Sequence, residues 1–326
     1  MRRHSFRFAA AAFSLLLTGL LPAYSLAQSY PDKPIRLILP FPPGGPSDIQ
    51  GRALAEQLGK QLGVSVLPDN RPGAGGNFGL EIAAEAPADG YHIVLSSPTI
   101  AISPSLYKKL NYNAERDLAP VARLTAIENV MVVHPSVPAK TLQQFVTLSK
   151  GYKERLTFGS GGAGTTNHLA NEMFQYFAKI SMLHVPYKGA TRAALALISG
   201  EVDEVVVSVP SVMPYIQSGK LRPLAVLSRE RVPQLPKVPT AIESGFKDFT
   251  ISIWYGMLAP AGAPADRISR LSREIGDALR SAALKSRLDK LGIQPWPGTA
   301  AELGALIRSE KARFGTLIRH AGIRKR

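Results

Sequence analysis

The chain has 326 residues, 45% of them hydrophobic, with 39 lysines and arginines against 24 acids and no cysteine. That length supports two lobes of ordinary domain size, and the missing cysteines exclude disulfides, thiolate metal sites and a lipid-bearing thiol. The formal charge of +15 favours anionic partners, but the basic residues are scattered and the one dense run, Arg324-Lys325-Arg326, is a terminal tail, so nucleic acid is not an expected partner.

Arg2, Arg3 and Arg7 precede an apolar run from Phe8 to Leu21, and Ser25-Leu26-Ala27 supplies small residues after it. This is the pattern of a secretory signal peptide over residues 1–27, with an apolar core shorter than the ~20 residues a membrane span needs. The chain from Gln28 onward keeps 36 bases against 24 acids and is expected to work outside the cytoplasm, in the periplasm.

Ile35, Leu37 and Leu39 predict a short buried strand that runs into Pro40-Phe41-Pro42-Pro43-Gly44-Gly45-Pro46-Ser47-Asp48. The prolines stop strand pairing and the glycines permit close backbone approach. Ser47 followed by Gln50 fits a capping box, which predicts a helix near 47–62 with Ile49, Ala53, Leu54, Leu58 and Leu62 inward. The free amides and positive end of that helix make an anion seat, with Pro43, Gly44, Gly45, Ser47 and Asp48 as candidate ligand-binding residues. Asp48 equally suits a plain first-turn role against the helix dipole.

Strands near 64–67 and 91–96 and a helix near 77–86 complete a βαβαβ unit. Its second crossing carries the glycine-rich Asp69-to-Asn77 loop, and its third strand ends in a hydroxyl-rich loop that adds Ser97 and Thr99 to the candidates. Residues 101–135 read as irregular apart from a strand at Val130–Val133, where the chain is expected to cross to a second lobe. After a helix near 141–150 the pattern returns. A strand at Leu156–Phe158 leads into Gly159-Ser160-Gly161-Gly162-Ala163-Gly164, and Thr165 caps a helix carrying Leu169, Met173 and Phe177 on one face. A strand at 182–185, a helix at 191–199 and a strand at 202–209 close the second unit. Ser160, Gly161, Gly162, Gly164, Thr165, Thr166, His168, Tyr187 and Asp203 are its candidate ligand-binding residues. A strand near 221–227 follows, then one at 251–257, and helices near 264–280 and 300–320 are expected to pack back on the first lobe. The expected division is 28–130 plus 229–326 for lobe 1 and 131–228 for lobe 2, with a cleft between them.

Three sharper readings compete at the second loop. Gly159-x-Gly161-x-x-Gly164 fits a dinucleotide fingerprint, but the next strand ends His184-Val185-Pro186-Tyr187 without the acid that would bind a ribose. Ser160 invites a nucleophile reading, yet the sequence places no histidine and acid beside it and lacks the Gly-x-Ser-x-Gly elbow. His134 and His184 show no ligand spacing, so no metal and no catalytic residue is expected. Tyr187 and Trp254 suit the core as well as a cleft wall.

Several stretches, taken together, carry a family resemblance: Tyr30-Pro31-Asp32-Lys33-Pro34-Ile35, Pro40 to Asp48, Asn70-Arg71-Pro72-Gly73-Ala74-Gly75-Gly76-Asn77, Ala88-Asp89-Gly90-Tyr91, His184-Val185-Pro186-Tyr187-Lys188-Gly189, Gly219-Lys220-Leu221-Arg222 and Leu258-Ala259-Pro260-Ala261-Gly262. In order and nearly throughout, the chain resembles the Bug or TctC family, the extracytoplasmic solute receptors of tripartite tricarboxylate transporters. The resemblance implies a type II periplasmic-binding-protein fold in which two α/β lobes close on a small organic carboxylate, with no cofactor and no chemistry. It implies membrane transporter subunits as partners. It places the carboxylate grip at Pro42 to Asp48 and Ser160 to Thr166. One departure stands out: where the family often has an aromatic and then an acid after Val202-Asp203, this chain has Val206 and Val207, followed by Ser208. That removes a group suited to a ligand ammonium. A sensor that signals to a kinase, or an enzyme using the same cleft, are the alternative readings.

Overall fold

A computed structural model describes residues 30–151, 155–247, 249–320 and 322–323. The expected signal peptide and the basic tail at Arg324–Arg326 lie outside the described residues. Residues from Lys33 onward form one compact unit.

Strand β1 (Ile35–Leu39) is apolar on both faces and lies in parallel between β2 (Val66–Asn70) and β3 (His92–Ser96). Ile35, Leu37, Ile38 and Leu39 are fully buried, as strands covered on both faces require. Helix α1 (Pro46–Leu62), a short 3₁₀ turn at Ala74–Gly76 and helix α2 (Asn77–Glu85) make the crossings. The βαβαβ expectation holds here. The start of α1 differs from it: the N-cap is Gly45, Pro46 takes the first helical position, and no side chain caps the helix. Proline at that position has its backbone angle already set for a helix and wastes no donor, so the helix begins before Ser47. Gln50 does not reach back; its Oε1 accepts from the Thr125 hydroxyl at 2.5 Å.

The stretch expected to be irregular contains helices α3 (Thr99–Leu106) and α4 (Ala114–Asp117) and the longest strand, β4 (Leu118–Val133). Its alternation is masked by register shifts around Pro120 and Arg123 against β9 (Ser252–Pro260). Each bulge flips the inward face, so no single period runs through it. The second portion contains α5 (Leu142–Gly151), β5 (Thr157–Ser160), α6 (Thr166–Ala178), β6 (Leu183–Pro186), α7 (Ala190–Ile198), β7 (Glu204–Ser208), α8 (Val209–Gln217) and β8 (Arg222–Val226). After β9 come α9 (Ala265–Arg280), α10 (Ala282–Lys290), β10 (Gln294–Gly298) and α11 (Ala300–His320). Helices α8 and α10 and strand β10 were not expected, because Pro210 and Pro214 sit inside α8 and β10 is Gln-Pro-Trp-Pro-Gly.

The strand order is β2-β1-β3-β9-β4-β7-β5-β6, with β8 and β10 pairing on β4. Strand β4 belongs to both portions: Leu118–Glu128 pair with β9, and Asn129–Val133 pair with β7. Val205 and Val207 point into one apolar cluster and Val206 into another, so β7 is buried on both faces. Trp254 is 3% exposed in the core of the first portion with Ile38, Leu80 and Leu258. Of the terminal helices, α9 and α10 pack on α1, and α11 also sends Phe314 and Ile318 into the cluster of Phe145, Phe158 and Phe174 in the second portion. Arg287 pairs with Glu56 of α1 at 2.8 Å, and Lys311 of α11 pairs with Glu115 of α4 at 2.8 Å. Among the described residues, no helix is long and apolar enough to cross a membrane.

Candidate functional site

The loops that follow β1, β3, β5, β6 and β7 meet around one cavity of about 560 Å³. In an open α/β sheet the carboxyl ends of the strands are where ligands bind. Each of these loops also opens a helix, so α1, α3, α6, α7 and α8 all begin at or beside the cavity wall. A helix start leaves up to four amides unpaired and carries a partial positive charge. Only α6 has a side-chain cap, with Thr165 Oγ1 accepting from the His168 amide at 3.4 Å. The N-caps of α1, α3, α7 and α8 make no such bond.

Side chains extend the same character. Ser47, Ser97 and Thr166 are buried at 3%, 5% and 6% exposure, line the cavity, and have no side-chain hydrogen-bond partner among the described residues. Among the described residues, no aspartate or glutamate lines the cavity, whereas Lys188 and Arg192 do. Phe41, Pro42, Pro46, Leu195, Ile253 and Tyr255 supply apolar wall. Burial pushes the Tyr255 phenol above its usual range, so it stays neutral. Two other hollows, of about 470 and 570 Å³, contain no residue of the 160–166 loop.

Of the residues singled out from sequence, Pro43, Gly45, Ser47, Ser97, Thr99, Gly161, Thr165 and Thr166 line the cavity. Gly44, Asp48, Ser160, Gly162, Gly164, His168, Tyr187 and Asp203 stand outside its lining. Asp48 holds the first loop together from behind. It accepts from the Gly44 amide at 3.0 Å, from Asn70 Nδ2 at 3.0 Å and from Arg52 Nε at 2.8 Å. Burial alone would raise its carboxyl, but these donors hold it below the usual carboxylate value. Asp203 precedes β7 and accepts from the Thr157 amide and hydroxyl at 2.7 and 2.8 Å. It lies at the opposite end of the strand from Ser208, roughly 16 Å along it at strand rise. The Tyr187 hydroxyl donates to Glu201 at 3.4 Å, and its ring packs on the apolar cluster under α7.

Ser160 has the histidine partner that the sequence did not reveal. Its Oγ lies 2.6 Å from His184 Nε2 and accepts from the Gly162 amide at 3.1 Å. The serine hydroxyl has one proton and two lone pairs, so the imidazole tautomer sets which of the two donates. His184 stacks on Phe158 at 4.8 Å and lies 4.5 Å from His168, whose Nε2 is 3.5 Å from Glu172. The residues of this cluster belong to β5, β6 and α6, neighbours in space but far apart in sequence. Ser160 is fully buried behind the cavity wall, so its hydroxyl shapes the loop rather than attacking a guest. Among the described residues, no group of three or more histidines, aspartates and glutamates is placed to hold a metal ion.

Tyr107 is a second residue that sequence reasoning missed. From the end of α3 its hydroxyl donates to the Ala163 carbonyl at 2.8 Å, and it lies 3.2 Å from the Ala74 carbonyl. It thereby ties the two glycine-rich loops together. The tie explains two glycines: a Cβ on Gly164 would sit 2.7 Å from the Tyr107 ring, and one on Gly75 would sit 2.6 Å from the Ala163 carbonyl, both at positive φ. Tyr107→Phe is expected to cost about 0.5–1.5 kcal/mol of the contact between the loops. Small-angle scattering of the ligand-free protein should then show a larger radius of gyration than wild type; an unchanged curve would remove Tyr107 from this role.

A model of the family described as tripartite tricarboxylate transporter family receptor matches residues 51–323. The chain is 35% identical over 298 residues to Protein BugT of Bordetella pertussis, covering 91% of each chain. Among solved structures it is similar to R. palustris Rpa4515 with adipate, at TM-score 0.86 and 28% identity over 91% of this chain and 100% of that one. The periplasmic binding protein BugD is similar at TM-score 0.85 and 30% identity, over 91% of this chain and 100% of that one.

Proposed function

Because the chain belongs to the tripartite tricarboxylate transporter receptor family, we propose that it captures a small organic carboxylate in the periplasm and presents it to the membrane subunits of such a transporter. The observation that carries this reading is the cavity itself, where four helix starts without side-chain caps and three unpartnered hydroxyls converge and no acid repels an anion. Micromolar capture needs about −8 kcal/mol. A few charge-assisted hydrogen bonds at roughly 1.5–3 kcal/mol each approach that after ordering costs.

In this reading residues 28–130 with 229–326 form one lobe and 131–228 the other. The loops after β1 and β5 both donate only when the guest bridges them, so capture and closure are one event. Capture rather than turnover is favoured because the Ser160–His184 pair lies behind the wall. The bound Rpa4515 neighbour holds adipate, a carboxylate of suitable size for such a cavity.

Refolded, ligand-free protein should be screened by thermal shift against mono-, di- and tricarboxylates, aromatic acids and amino acids. At a hundredfold excess over its dissociation constant a ligand adds about 2.7 kcal/mol, or several degrees in Tm. Carboxylates without an ammonium group are expected to give such shifts and amino acids are not. A flat screen across all carboxylates would refute the reading.

A further inference from the structure

Helix α7 places a cation where its own electrostatics oppose one. Arg192 is the third residue of the helix, after Ala190 and Thr191, and its N-cap Gly189 is preceded by Lys188. A helix start carries partial positive charge and favours acids, and a guanidinium in the first turn is repelled by it. No compensation is present: α7 has no acid in its first turn, and neither Arg192 nor Lys188 makes an ion pair or side-chain hydrogen bond among the described residues. Both side chains line the cavity, are exposed, and face no aspartate or glutamate across it.

One turn further along α7, Leu195 lines the same cavity at 51% exposure, an unusual position for a leucine unless an apolar guest covers it. Ile253, Tyr255 and Phe41 add to that apolar wall. The hydroxyls of Ser47, Ser97 and Thr166 belong to other loops. Resting on the proposed carboxylate capture, we propose that Arg192, assisted by Lys188, is the specificity-determining residue that reads a second anionic group on the guest. The favoured guest then has a carboxylate at the hydroxyl-and-amide seat, an apolar middle against Leu195 and Ile253, and a second carboxylate at Arg192. The planar guanidinium fork is suited to such a group, and the guest supplies the counter-charge that the protein lacks.

The test is calorimetric titration with two matched series, the straight-chain dicarboxylates from succinate to suberate and the monocarboxylates from butanoate to octanoate. Wild-type protein is expected to bind the best diacid about tenfold or more tighter than its matched monoacid, the size of one charge-assisted contact. Arg192→Ala with Lys188→Ala should lower diacid affinity about tenfold more than monoacid affinity, erasing the preference, and Arg192→Lys should retain part of it. Both side chains are exposed, so an unchanged melting temperature of the free variants confirms folding. If wild type binds mono- and diacids equally, or the double variant loses both in parallel, this inference is overturned while carboxylate capture stands. If no member of either series binds, both fall.

Discussion

Gly161→Val abolishes ligand capture while leaving the fold intact. A Cβ at residue 161 would lie 2.8 Å from the Ala190 amide nitrogen and 3.1 Å from the Gly189 carbonyl carbon, backbone atoms that cannot rotate aside. The loop after β5 is laced to the loop after β6 by the Tyr187 amide to the Ser160 carbonyl at 2.9 Å and the Gly189 amide to the Gly161 carbonyl at 3.2 Å. Forcing them apart displaces the start of α7, and with it the amides and cations on that side of the cavity. The expected loss is a hundredfold or more in affinity, about 2.7 kcal/mol. Gly161 itself belongs to no apolar cluster, and only the start of α7 at the edge of one is displaced, so the melting temperature should stay within a few degrees of wild type. Retained affinity in isothermal titration would show that this loop does not form the seat.

Glu204→Gln stabilises the protein increasingly as the pH rises. Glu204 is fully buried in β7, and neither carboxyl oxygen has a hydrogen-bond partner among the described residues. Burial first, and the neighbouring Asp203 charge second, push its carboxyl well above the usual value. The folded state therefore keeps the proton that the unfolded chain releases near pH 4.5. Below that value both states are protonated and the group adds no pH dependence. Above it the wild-type chain loses about 1.4 kcal/mol per pH unit until the folded-state group itself titrates. Denaturant melts of wild type and variant should coincide near pH 4 and separate progressively toward pH 8. Parallel pH profiles would mean that a partner neutralises Glu204.

The sequence made the first unit legible because its signals agree with one another. Apolar β1, the proline-glycine turn and the amphipathic α1 all point to one βαβ crossing. The second glycine-rich loop was legible for the same reason. What stayed hidden depends on contacts between distant residues. The inward face of β4 changes at each bulge, and α8 contains two prolines that its first turn and tertiary packing tolerate. At the site, half of the chosen residues line the cavity. Asp48, in a helix's first turn, and Asp203 were both candidate ligand-binding residues, but which way each carboxylate turns is decided by Asn70 and Arg52 in one case and Thr157 in the other. Arg192 and Leu195 were not among the candidates, because both residue types suit the solvent face of a helix. An arginine in a helix's first turn without a nearby acid was the one signal that would have marked them.

Strand β9 lies between β3 and β4, although it is made long after both. The strands at the beginning of the chain therefore cannot finish their sheet until Ser252–Pro260 has arrived, whereas β5, β6 and β7 find their partners within a short span of sequence. During synthesis the early third of the protein is left with an unsatisfied strand edge, and rapid locking into the final shape is postponed to the last helices.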